Sequence, residues 1–122
     1  MKLPTGVLEL AVSQAHKSPM THKHGAVIFK GNTILGAGYN FYMGPPSPNH
    51  RQVSIHSEKD CLKGLRGDQI YGSSVLAIRV HSNGSLLHGA PCTGCSKLMK
   101  RKGVKKAFWF DDQGNLNCTI LN

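Results

Sequence analysis

A chain of 122 residues, 39% hydrophobic and 17% charged, is long enough for one domain with its own core and too short for two ordinary ones. Lysine and arginine outnumber aspartate and glutamate by 15 to 6, a net charge of +9 that attracts phosphate-bearing partners, from a mononucleotide to a polynucleotide, and says nothing about fold. No apolar run approaches the ~20 residues a bilayer demands, and Met1-Lys2-Leu3-Pro4-Thr5 lacks the long apolar stretch of a secretory signal, so a soluble cytoplasmic protein without a membrane partner is expected.

In chain order, Thr5 can cap a first helix running to about Lys17, with Val7, Leu8, Ala11, Val12 and Ala15 on its apolar side, and Ser18-Pro19 ends it. Two extended runs follow, 25–29 and 33–39, separated by the hairpin signal Lys30-Gly31-Asn32. Gly44-Pro45-Pro46-Ser47-Pro48-Asn49 reads as a loop. A second helix fits 54–65. A largely buried strand fits 74–80, followed by the turn Ser82-Asn83-Gly84-Ser85 leading into Leu86-Leu87-His88. A third helix fits 93–102, closed by Gly103, and 104–110 reads as a central strand because Ala107-Phe108-Trp109-Phe110 is apolar on both faces.

This order predicts an α/β protein: a three-layer α/β/α sandwich with a mixed sheet of four to five strands, forming a single domain over 1–122. Only 113–117 separate Asp112 from a possible fifth strand at 118–121, too few for a parallel crossover, so that strand should pair antiparallel.

Four cysteines without a secretory signal argue against a disulfide framework, and Cys92-Thr93-Gly94-Cys95 raises metal or redox chemistry instead. Both thiols face one side of an emerging helix, whose N-terminus favours negative charge and should stabilise two thiolates; Pro91 precedes them where its missing N–H costs nothing. Alone, such a pair could be a redox couple, half of a zinc ribbon or two buried thiols. The redox reading wants it after the first strand of a thioredoxin-like unit, and the ribbon reading wants a second pair; neither is met.

A third ligand is available upstream in Val53-Ser54-Ile55-His56-Ser57-Glu58. Residues two apart in a regular helix point to different sides. His56 and Glu58 can therefore address one point only if His56 stands at the helix mouth and Glu58 reaches over from the first turn. Three protein ligands, His56, Cys92 and Cys95, with an open fourth position describe catalytic rather than structural zinc. Zn2+ lowers the pKa of a water toward ~7, and an unligated carboxylate at Glu58 could take its proton and hand it on, as hydrolytic deamination needs.

At these residues the chain resembles the cytidine and deoxycytidylate deaminase superfamily. The zinc-deaminase signature H-x-E…P-C-x-x-C is met by His56-Ser57-Glu58 and Pro91-Cys92-Thr93-Gly94-Cys95. Ser57 departs from the alanine or cysteine usual there. His24-Gly25-Ala26-Val27-Ile28 and Gly38-Tyr39-Asn40 look like the first hairpin of the deoxycytidylate and tRNA-deaminase branch. The resemblance implies a substrate-binding role for Asn40, on the sugar, and for Ala26, on the strand that lines the pocket. His24 is expected at the pocket mouth, and Ser57, at a helix mouth with a free backbone N–H, is expected to hold the base carbonyl oxygen, as is Cys92. The short final connection is similar to that of the free-cytidine deaminases, whereas Phe110-Asp111-Asp112-Gln113-Gly114 resembles a loop with which some polynucleotide deaminases read a neighbouring base.

The expected function is deamination of a cytosine nucleoside or nucleotide to the uracil form, by a homo-oligomer. The alternatives are cytosine or adenine deamination within RNA or single-stranded DNA, and a non-catalytic zinc-stabilised module, against which Glu58 argues. Other residues carry plainer expectations. His22 and His24 are expected to face opposite ways without a second metal. His50 is expected to be exposed or to touch substrate phosphate, and His81 and His88 to be cross-strand neighbours. Cys61 reads as a buried small residue, and Phe108 and Trp109 as packed against helices. Lys97, Lys100, Arg101, Lys102, Lys105 and Lys106 read as a solvated basic face, with phosphate gathering as the alternative.

Overall fold

The computed structural model describes residues 2–44 and 53–121. The proline-rich stretch 45–49 and His50 lie outside the described residues. The elements are α1 (Val7–Lys17), β1 (Lys23–Lys30), β2 (Thr33–Tyr39), β3 (Phe41–Met43), β4 (Val53–Ile55), α2 (Ser57–Cys61), α3 (Gly67–Ile70), β5 (Ser74–Val80), β6 (Leu86–Leu87), α4 (Thr93–Lys102), β7 (Lys106–Phe110) and β8 (Leu116–Ile120).

Five strands lie in the order β2-β1-β5-β7-β8, and β6 joins as a sixth by pairing with β5. Only β5 and β7 are parallel; the other pairs are antiparallel, including β7 with β8. The mixed sheet and its antiparallel ending are thus as expected, with one strand more. The extra strand arises because β5 is longer than the stretch β7 covers. Its Ser74–Leu76 half pairs with β7, leaving Arg79 and Val80 to take Leu87 and Leu86. A separate two-stranded ribbon joins β3 and β4.

Two clusters form the core, one on each side of the sheet. Val7, Ala11 and Ala15 of α1 pack with Val27, Leu76, Ile78 and Phe108. Ala26, Ile28 and Val75 pack with Cys61 and Leu62 around α2, Ile70 of α3 and Met99 of α4. A fully buried aliphatic side chain contributes about 1.5–3 kcal/mol, so these two layers are the main source of stability.

Glycines set how closely the helices approach. A Cβ on Gly25 would lie 2.1 Å from Ala11 O, so α1 can sit on β1 only because that strand has no side chain there. A Cβ on Gly38 would lie 2.6 Å from the Cys61 backbone nitrogen, and Asp60 Oδ2 accepts the Tyr39 N–H at 3.1 Å, which together seat α2 on β2.

Several local expectations need correction. The first helix is not capped by Thr5: Gly6, at φ 86°, is its N-cap and no side chain caps it. The helix expected over 54–65 is strand β4, then a short α2, then turns and α3. Ser54 and Ile55 instead pair with Tyr42 and Phe41, an option that local periodicity does not reveal. His81 and His88 are not cross-strand partners, because Arg79 faces Leu87 and His81 bonds Ser85 across the turn. His88 instead lies against Trp109, with ring centroids 5.0 Å apart, and Trp109 donates to Thr119 Oγ1. Phe108 packs in the core with Phe29.

Candidate metal centre and active site

The ribbon β3–β4 delivers the chain to His56, which keeps extended backbone (φ −77°, ψ 151°) as the N-cap of α2. The helix therefore begins at Ser57, and Glu58 sits in its first turn. His56 is thereby freed from helical periodicity, the condition required for it and Glu58 to face one place. On the far side, Cys92 is the N-cap of α4 and its sulfur accepts the Cys95 N–H at 3.4 Å, folding one thiol back over the other.

The two helix mouths meet. His56 Nδ1 lies 3.1 Å from Cys95 Sγ and 3.6 Å from Cys92 Sγ, and the three ligand atoms fall within 4.8 Å of one another. Zinc bonds of about 2.0–2.1 Å to nitrogen and about 2.3 Å to sulfur, in a tetrahedron, place N and S about 3.5 Å apart and two sulfurs about 3.8 Å apart. The trio fits such an ion with small adjustments. No other group of three or more such side chains occurs among the described residues.

The electrostatics also call for a cation. Burial, and then the charge of Glu58, push the Cys95 thiol well above its ordinary value. At Cys95 burial thus works against the thiolate expected at a helix mouth. A metal ion would convert that disfavoured thiolate into a ligand.

Beside the trio is a cavity of about 230 Å3 whose lining includes His22, His24, Asn40, Ser57 and Glu58. Glu58 is only 6% exposed and Ser57 Oγ donates to its Oε1 at 2.7 Å. Burial lowers the pKa of His24, opposed by the nearby Glu58 charge, so its imidazole is held toward the neutral form. His22, in the bend just before β1, and His24, within β1, both line this cavity, correcting the expectation that they face opposite ways.

Asn40 is 6% exposed and bridges the start of β1, accepting from His24 N at 2.8 Å and donating to His22 O at 2.7 Å. Ser18 Oγ fixes its carbonyl at 2.8 Å. Ala26, expected at the pocket, is fully buried among Cys61 and Leu62 and does not line this cavity. It shares a strand face with His24 but lies one step further under α2. Asp111, in the loop with polynucleotide-deaminase resemblance, spends its carboxylate on its own turn, accepting from Gln113 N, Asn115 N and Asn117 Nδ2. The basic residues of α4 are exposed from Lys97 to Lys102, as a solvated face would be.

Sequence reasoning missed Arg79. Lying within an apolar strand, it reads as interruption of that strand, and only pairing with β1 brings it opposite His24.

No family model and no curated protein matches the chain. Solved structures do. A dCMP deaminase from the cyanophage S-TIM5 is 25% identical, with 90% of this chain and 86% of that one covered at a TM-score of 0.52; the same phage protein is known in complex with dCMP and dUMP. A cytidine deaminase from Burkholderia pseudomallei is 18% identical, with 98% and 94% covered at a TM-score of 0.68. One from Mycobacterium leprae is also 18% identical, with 94% and 90% covered at 0.63. The latter two establish likeness of fold.

Proposed function

This chain has the fold of the cytidine and deoxycytidylate deaminase superfamily and carries its His-Cys-Cys set, and from that premise we propose that it is a zinc-dependent hydrolytic deaminase of a cytosine nucleoside or nucleotide. The observation that supports this most is the meeting of His56, Cys92 and Cys95 beside a buried carboxylate, Glu58, on the wall of one cavity.

His56, Cys92 and Cys95 would hold the ion, which when bound supplies Lewis acidity that makes water a nucleophile near neutral pH. Glu58 is the proton carrier. It takes a proton from the attacking water and gives it to the ring nitrogen, then takes the second proton from the hydroxyl so added and gives it to the departing amine, so that water is consumed and ammonia released. Burial keeps bulk water from competing with this transfer. Asn40 has one Nδ2 hydrogen beyond its bond to His22 O, which suits a sugar hydroxyl. His24 and Ser57 border the same space and would position the base. Ala26 supports the wall from beneath.

The test is a product assay on zinc-loaded protein with cytidine, deoxycytidine, CMP, dCMP, adenosine and a cytosine-containing oligonucleotide. Conversion of a free cytosine compound to its uracil form is expected. Turnover of adenosine alone, or of the oligonucleotide alone, would replace this reading, and no turnover of any substrate would remove it.

A further inference from the structure

A second cavity of about 420 Å3 adjoins the first and shares Met20 and His22 with it. Its lining includes His22, Lys23, Arg79 and His81, and no aspartate or glutamate. Arg79 stands opposite His24 across the β1–β5 ladder and has no carboxylate partner among the described residues. Its Nε is buried without a hydrogen-bond partner, and its Nη2 donates to His22 Nδ1 at 2.6 Å. A guanidinium can only donate, so His22 must accept at Nδ1 and carry its own proton on Nε2. Guanidinium and imidazole thus form one linked set of donors with no carboxylate bonded to them among the described residues.

An arginine whose charge meets no acid, and one of whose donors is both buried and unbonded, is a costly arrangement for a purely structural residue. It suits a site whose counter-charge arrives with a ligand. We propose that Arg79 and His22, with Lys23 nearby, form an anion subsite at the mouth of the active cavity that takes the phosphate monoester of a mononucleotide. Planar guanidinium donors match phosphate oxygens, and His22, which lines both cavities, adds an Nε2–H donor. One guanidinium with one imidazole is proportioned to a single phosphate; a polynucleotide track would need cations spaced along a groove. This inference rests on the deaminase reading for the base and on Arg79 for the phosphate.

Two measurements decide it. First, kcat/KM is compared between dCMP and deoxycytidine, and between CMP and cytidine, for the zinc-loaded protein and for Arg79→Gln. The native protein should favour the nucleotide, and the variant should lose about 10- to 100-fold more on the nucleotide than on the nucleoside, as for removal of hydrogen bonds to a charged group. Equal losses on both, no native preference for the phosphate, or a preference for a cytosine dinucleotide phosphodiester over dCMP would overturn the proposal. Second, inorganic phosphate is titrated into the zinc-loaded protein while the histidine ring signals are followed by NMR. Shifts at His22 that vanish in Arg79→Gln are expected; unchanged rings would overturn the subsite. If no base is turned over at all, the deaminase reading falls alone, and the phosphate titration still judges Arg79. Arg79→Lys, which keeps the charge, supplies a folded comparison should the glutamine variant unfold.

Discussion

Ser57 Oγ donates a 2.7 Å hydrogen bond to Oε1 of its neighbour Glu58, with both residues buried. The carboxylate that lines the cavity therefore has one oxygen held by its neighbour. Ser57→Ala removes that anchor without touching a metal ligand. A fall in kcat of about tenfold, with KM and zinc content little changed, is expected, from the value of a hydrogen bond to a charged group. Unaltered kcat would show that the serine serves packing alone.

Glu58→Gln keeps the shape of the side chain and the three metal ligands but cannot carry a proton. Activity should fall by ~10²–10⁴ while zinc stays bound. Metal analysis beside the rate separates this from loss of the ion; near-native turnover would exclude Glu58 as the proton carrier.

Zinc binding should release protons. The Cys95 thiol is pushed up by burial and Glu58, so it is protonated in the metal-free protein at neutral pH and must ionise to become a ligand. Calorimetric titration of apoprotein in two buffers of different ionisation enthalpy should show binding heats that differ accordingly. Cys92→Ala and Cys95→Ala together should abolish stoichiometric zinc, and chelation should lower thermal stability.

The seat of α2 on β2 depends on Gly38. Gly38→Ala puts a Cβ 2.6 Å from the Cys61 nitrogen and 2.8 Å from the Asp60 carbonyl carbon, backbone that cannot move aside cheaply. A loss of about 1–3 kcal/mol in denaturant unfolding is expected, with weakened zinc affinity because α2 carries Glu58 and has His56 as its N-cap. Gly67→Ala, where the Cβ would meet nothing within 4 Å, is the control and should change stability by less than about 0.5 kcal/mol.

His24 gives a pH dependence with a definite sign. Burial lowers its pKa below the ordinary 6.5, so the folded state binds fewer protons there than the unfolded chain. Its contribution is fully present above pH 6.5 and is lost as pH falls through the folded value. Melting temperature between about pH 5 and pH 7 should thus drop less steeply for His24→Asn than for the native protein, both in metal-free form so that ligand protonation does not intrude. Parallel curves would show that His24 titrates alike in both states.

The sequence by itself determined the grouping of His56, Cys92 and Cys95, the strands at 33–39 and 74–80, the helix from Thr93 closed by Gly103, and the antiparallel last strand. Each depends on a short-range constraint: residue type, hydrophobic period, a glycine stop, or a connection too short to cross over. It also required His56 to stand at a helix mouth, since no regular helix turns residues two apart to one point. Tertiary structure decided the rest. Residues 53–55 became a strand because Phe41–Met43 was there to pair with them, and β6 exists because β5 outruns β7. Cys95 is a reluctant thiolate because burial raises its pKa, and burial is a property of the packed chain. Arg79 gained significance only when β5 lay antiparallel to β1, opposite His24 and within reach of His22. Interactions across 57 residues of chain leave no local trace, because what they depend on is register between strands and not the pattern within either one.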